Sequence, residues 1–185
     1  MIGRDYAPID PPQPGEVPAK IEVLEFFSYG CPHCKDFHPL VMAWAPKLPP
    51  DAAFRRVPVS FNRAAWANLA KLHYALKVSG DLARLEEAVF HAIHVERVSL
   101  FTPSAILSWA KRQGVDEKRF AAAYESFGVA SQVARGDQLV NSHKVEEVPL
   151  LTVAGRYAVT GPADGGSAGR LATADALIAR ARGGG

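Results

Sequence analysis

Cysteine is scarce in this chain: of 185 residues, only Cys31 and Cys34 carry a thiol. That excludes a framework of several disulfides and leaves a four-cysteine zinc site without its second half. The closest histidine pair, His91 and His94, has two residues between rather than the usual three to five or so, and no metal is expected. Long apolar runs are also missing; no stretch reaches the roughly 18–20 consecutive apolar residues of a membrane-spanning helix. The formal net charge is only +2, so no polyanionic partner is indicated, nucleic acid included. There is no internal repeat, and the chain opens Met-Ile-Gly-Arg-Asp-Tyr rather than on a basic-then-apolar leader. That opening fits a removed signal peptide or a cytosolic protein.

What is present is an apolar content of 48%, enough for a real core in one domain or in a domain with an insertion. Lys20 to Phe27 is rich in apolar and aromatic residues and predicts a buried strand. Ser28-Tyr29-Gly30 turns the chain. Phe37, Val41, Trp44 and Leu48 then recur at helical spacing, so a helix is predicted from Cys31 or just before it.

The cysteines thus ride on a helix N-terminus. Unsatisfied backbone N–H groups and the positive end of the helix dipole stabilise an anion there, and a thiolate is the anion on offer. Cys31 is expected to be acidic, with Pro32 setting φ for the first turn and His33 adding a donor or a positive charge. Cys34, one turn on, is expected to face the packed side and to reach back to Cys31. A disulfide whose reduced form is unusually stable is easily given away. A static structural disulfide would close too short a loop to stabilise much, and two inert buried thiols need no strand, turn and helix start around them.

The segment Glu25-Phe26-Phe27-Ser28-Tyr29-Gly30-Cys31-Pro32-His33-Cys34 resembles the active-site segment of the DsbA family, bacterial periplasmic thiol oxidants with a thioredoxin-like fold. The inner dipeptide Pro-His is that family's typical choice. The resemblance implies an α/β class, a thioredoxin-like fold with an inserted all-helical domain. It also implies a protein thiol:disulfide oxidoreductase that donates its Cys31–Cys34 disulfide to unfolded or folding exported proteins with thiols, through a mixed disulfide at Cys31. Reoxidation would come from a DsbB-like, quinone-coupled membrane oxidase. No bound cofactor, a monomeric state and a periplasmic location are expected with it. A disulfide reductase or isomerase, a kappa-type glutathione transferase and a chaperone-like peptide-binding module with a silent dithiol are the alternatives.

Taken in order, residues 1–19 carry five prolines and predict an extended arm. Pro39 is expected to kink the first helix, and Pro46, Pro49 and Pro50 to end it. Ala52 to Phe61 alternates Val57, Val59 and Phe61, and predicts a second strand. Helices follow: one marked by Leu69, Leu72 and Leu76, one by Leu82, Leu85, Val89 and Ile93, and one capped by Thr102-Pro103. A fourth, opened by Asp116, is expected to carry Phe120, Tyr124 and Phe127, and a fifth Val129, Val133 and Val140. A hairpin around Gly155-Arg156 and a last helix from Ala172 to Arg182 complete the chain. Residues 1–62 and 142–185 are therefore expected to form the thioredoxin-like domain, and 63–141 the helical insertion.

Glu25, in an otherwise apolar run, is expected to be buried, its pKa raised, as a proton relay for Cys34. By resemblance Arg56 is a candidate ion partner for it, a solvated surface arginine being the alternative, while Glu22 is expected to reach solvent. His38, His73, His91, His94 and His143 read as surface or helix residues. By resemblance, Val148-Pro149 supplies a cis proline facing the disulfide, and Tyr29, Gly30, Pro32 and Val148 border the sulfur. The glycine-rich loop from Gly161 to Gly169 is expected nearby.

Overall fold

A computed structural model describes residues 1–161 and 166–184. Among them are seven helices and one five-stranded sheet, ordered β1-β5-β4-β2-β3. The chain divides into two compact units: Met1–Phe27, Asp36–Val57 and Val140–Gly185 form the first, Ser28–Lys35 and Pro58–Leu139 the second.

The first unit is built on the sheet. β2 (Ile21–Phe27) is the predicted apolar strand, buried along all but its first residue. It pairs antiparallel with β4 (Leu150–Val153), with Val23 opposite Val153 and Glu25 opposite Leu151. β4 turns at Ala154 and Gly155, both with positive φ, into β5 (Tyr157–Val159), which confirms the hairpin. On the other side of β2 lies β3 (Ala52–Pro58), reached through α1 (Pro32–Trp44) and a short 3-10 turn. Side chains alternate along a strand, so Val23, Leu151, Val153 and Val159 share a core with Phe37 and Val41 of α1 and with Ala174, Leu177 and Ile178 of α7 (Gly166–Arg182). Full burial of each large apolar side chain in such a core contributes about 1.5–3 kcal/mol. The proline-rich arm is extended only in part: Gly3 to Asp5 form a turn, and Ala7–Pro8 supply the two-residue edge strand β1, paired with Ala158 and Tyr157 of β5.

The second unit is helical beyond the cysteine segment: α2 (Ala64–Ser79), α3 (Leu82–His94), α4 (Pro103–Arg112), α5 (Glu117–Tyr124) and most of α6 (Phe127–Ser142). Its caps are those the sequence announces. Thr102 accepts from the Ala105 N–H at 3.3 Å, and Asp116 from the Arg119 N–H at 3.0 Å. α2 ends on Gly80 at φ +85°, the left-handed residue a C-terminus favours.

Four expectations need correction. The second strand stops at Pro58, not Phe61: proline has no ladder donor, and Phe61 and Asn62 both turn left-handed, at φ +47° and +57°. Phe127 does not extend α5, which stops at Tyr124; it opens α6 and is 87% exposed, the Ser126 hydroxyl just before it accepting the Val129 N–H of that helix. The last helix begins at Gly166 rather than Ala172, tertiary packing overriding the weak propensity of Gly166 and Gly169. Glu22 does not reach solvent; it is buried against Arg55, Nε to Oε2 3.1 Å.

Candidate active site

The reactive segment begins where β2 ends. Ser28 closes a turn by accepting the Cys31 N–H at its carbonyl, 3.1 Å, and the Gly30 N–H at its hydroxyl, 3.1 Å. α1 then starts at Pro32, whose missing N–H costs nothing in a first turn. No acidic residue occupies that turn, so the positive helix end is left to act on sulfur.

Both cysteines are thiols here, and both are buried: Cys31 is 7% exposed and Cys34 not at all. The small opening is therefore at Cys31, the order expected. The Cys34 N–H approaches the Cys31 sulfur at 3.4 Å. Cys31 is brought down from 9.0 to about 6, first by the hydrogen bond from the Cys34 thiol, then by the N–H groups of Cys34 and His33 and the charge of His33, with burial opposing. His33 itself is exposed.

The sign of the pH dependence follows. A thiol that is more acidic folded than unfolded stabilises the reduced fold fully above about 9.0, and the gain is lost as pH falls through about 6. The melting temperature of the reduced protein, relative to the oxidised one, should rise from pH 5 to pH 8; a flat difference would contradict an acidic Cys31.

Glu25 is fully buried, as expected, and its partner is Arg56: Nε lies 2.6 Å from Oε2, with the Arg56 side chain 7% exposed. The guanidinium also sits 3.9 Å from the centroid of the Phe27 ring. The Val148-Pro149 bond is cis, as is Asp10-Pro11. The Pro149 carbonyl accepts from Arg170 at 3.2 Å. Of the glycine-rich loop, residues 162–165 lie outside the described residues, and Gly166 to Gly169 belong to α7.

Tyr29 and Gly30 carry more than the sequence disclosed. Tyr29 is fully buried, and its hydroxyl donates to Glu86 at 2.9 Å and lies 2.9 Å from His73 Nδ1. Its carbonyl meets His94 Nε2 at 2.7 Å. Gly30 faces Trp66, whose Nε1 would stand 2.6 Å from a Cβ placed there, so glycine is required by the close approach. His73 and His143 are buried rather than on the surface. For His73 the signal was available: residues 69, 72, 73 and 76 form one helical stripe, and Glu86 falls on the stripe of 82, 85, 89 and 93.

An acidic thiol at the first turn of a helix that follows a buried strand, with a second thiol one turn on, defines a thioredoxin-like dithiol oxidoreductase. The family model for the DSBA-like thioredoxin domain matches residues 22–165, and the chain belongs to that family. It is 41% identical over 181 residues to the thiol:disulfide interchange protein DsbA of Bordetella pertussis (strain Tohama I), covering 97% of this chain and 85% of that one. To DsbA of Pseudomonas aeruginosa (strain PAO1) it is 36% identical over 180 residues, with 97% and 85% covered. The crystal structure of Pseudomonas aeruginosa DsbA superimposes with a TM-score of 0.94 at 35% identity, covering 100% of this chain and 95% of that one. DsbA from Xylella fastidiosa gives 0.89 at 30%, with 99% and 98% covered. The protein is accordingly an enzyme acting on protein thiols and disulfides. No described helix is long and apolar enough to cross a membrane.

Proposed function

We propose that the protein works in the periplasm, giving its Cys31–Cys34 disulfide to newly exported chains that carry thiols. The observation that carries this reading is the first-turn environment of Cys31, which holds the thiol near pKa 6 and so makes it a good leaving group. A substrate thiolate attacks the Cys31 sulfur of the oxidised protein, the bond to Cys34 breaks, and Cys34 leaves as a thiolate. A second substrate thiolate then attacks the substrate sulfur of the mixed disulfide, and Cys31 leaves as a thiolate. Two electrons pass from substrate to enzyme, and a DsbB-like quinone-coupled membrane oxidase takes them on.

In this reading His33 and Pro32 tune the thiolate, and Glu25 exchanges the proton of Cys34. Pro149, Val148 and Gly30 meet the substrate; Tyr29, expected beside them, is fully buried and acts from beneath the turn instead. Residues 1–62 with 142–185 act as the thioredoxin-like domain and 63–141 as a helical insertion, a division supported by the run of helices from α2 to α6. The chain acts as a monomer and needs no cofactor.

The test is stoichiometric. One equivalent of oxidised protein should convert a reduced, unfolded two-cysteine peptide to its disulfide and emerge as the dithiol; persistent peptide thiols would refute donation. His33→Ser should raise the Cys31 pKa, read by thiolate absorbance, and shift the glutathione equilibrium toward a weaker oxidant. An unchanged equilibrium would reduce His33 to a surface residue.

A further inference from the structure

The turn that presents Cys31 is held from the helical side at three places on one residue. The Tyr29 hydroxyl is taken by Glu86 of α3 and His73 of α2, each at 2.9 Å. Its ring packs edge-on against Phe90 of α3, centroids 4.9 Å apart. Its carbonyl meets His94 Nε2, also of α3, at 2.7 Å. A carbonyl only accepts, so this nitrogen of His94 carries the proton; likewise, the hydroxyl that donates to Glu86 accepts from the Nδ1–H of His73. Every polar atom of Tyr29 named here is thus fixed, with the side chains of Tyr29, His73 and Glu86 almost wholly buried.

That degree of fixing exceeds what packing requires, since apolar side chains at 29, 73 and 86 would fill the same space without burying three polar groups. Its place in the chain gives the reason. Tyr29 lies inside the Ser28–Cys31 turn, closed by the Cys31 N–H on the Ser28 carbonyl, and α1 starts one residue later. A shift of the Tyr29 peptide rotates the turn and with it the N–H groups of the first helical turn, of which the Cys34 N–H reaches the Cys31 sulfur at 3.4 Å. Hydrogen bonds to a thiolate weaken steeply once angle and distance are lost.

We propose that α2 and α3 set the chemistry of Cys31 by clamping Tyr29, so that Tyr29 and His94 are positioning residues that keep first-turn donors aimed at its sulfur. This rests on Cys31 being the reactive thiol. The inserted helices then act directly on the redox centre and are more than a neighbouring substrate surface.

The experiment uses the full chain. Tyr29→Phe removes only the hydroxyl; His94→Leu removes the donor to the carbonyl, and His94→Gln keeps one. In Tyr29→Phe and in His94→Leu the Cys31 thiolate should titrate higher by about half a unit or more, a roughly threefold change that should appear equally in the glutathione equilibrium. His94→Gln should return toward the parent. Thermal melts and near-ultraviolet circular dichroism report folding, and if one variant does not fold the other decides. A parent-like titration in either folded variant, whatever its melting temperature, overturns the proposal and leaves the network a packing device. Failure of the underlying reading looks different: the parent itself would then show no acidic thiol at Cys31.

Discussion

Offered a peptide disulfide, the Cys34→Ser protein should become a trap, its Cys31 thiolate displacing one peptide thiolate and keeping the other half as a mixed disulfide, whereas Cys31→Ser should form none and lose donor activity to background. The asymmetry has a geometric and an electrostatic root. Cys31 has the only exposure of the pair, and the first-turn N–H groups converge on its sulfur, so the incoming thiolate meets Cys31 and the better leaving group in the second step is also Cys31. With serine at 34, a disulfide between Cys31 and a peptide lacks the internal thiol that would otherwise reverse it. The adduct is read by mass spectrometry after acid quenching. Equal trapping by the two variants would reverse or erase the proposed order of the cysteines.

The largest loss of stability should come from Arg56→Met. Glu25 is fully buried and Arg56 nearly so, with 2.6 Å between Nε and Oε2. Removing one member of such a pair leaves a charge in a low-dielectric interior, at a cost of about 3–5 kcal/mol. Replacing both with apolar residues of similar volume is often close to neutral. Urea unfolding should therefore show a severe loss for Arg56→Met and recovery of most of it in Glu25→Leu with Arg56→Met. If Glu25 serves Cys34, the double variant regains stability while releasing substrate slowly, separating the structural task from the chemical one. A single-variant loss below about 1 kcal/mol would place the pair in the class of solvent-screened surface bridges.

The parts of this molecule that announce themselves in sequence are those set by neighbours along the chain. β2, the start of α1, the Thr102 and Asp116 caps and the turn after Val153 each carry a local pattern of apolar spacing, capping oxygen or glycine. The acidic character of Cys31 was legible for the same reason, because the Cys34 thiol and the first-turn N–H groups that lower it are adjacent in sequence. What escaped is set by partners far away. Glu22 is buried because Arg55 meets it across the sheet, and nothing near residue 22 encodes that. The Tyr29 network joins residues 44 and 57 positions apart, and single histidines and glutamates on helices look solvated until the facing helix is known. Phe61 carried an alternating pattern that argued for strand; Pro58 outweighed it.

The arm at the start of the chain has a consequence for company rather than for chemistry. β5 would otherwise present open backbone groups, and the arm covers them by pairing Ala7 and Pro8 with Ala158 and Tyr157; in the turn before β5 the Ile9 N–H bonds the Arg156 carbonyl, and the Gln13 N–H that of Gly155, both at 2.8 Å. The new rim is only two paired residues long and runs into Pro8, Pro11 and Pro12, which offer no N–H to a further strand. Gly155 seals the arrangement, since a Cβ there would fall 2.0 Å from the Gln13 carbonyl oxygen. An enzyme whose proposed clients are unfolded chains is surrounded by segments ready to add themselves to any exposed sheet. Five prolines in nineteen residues give this one a border at which such growth stops.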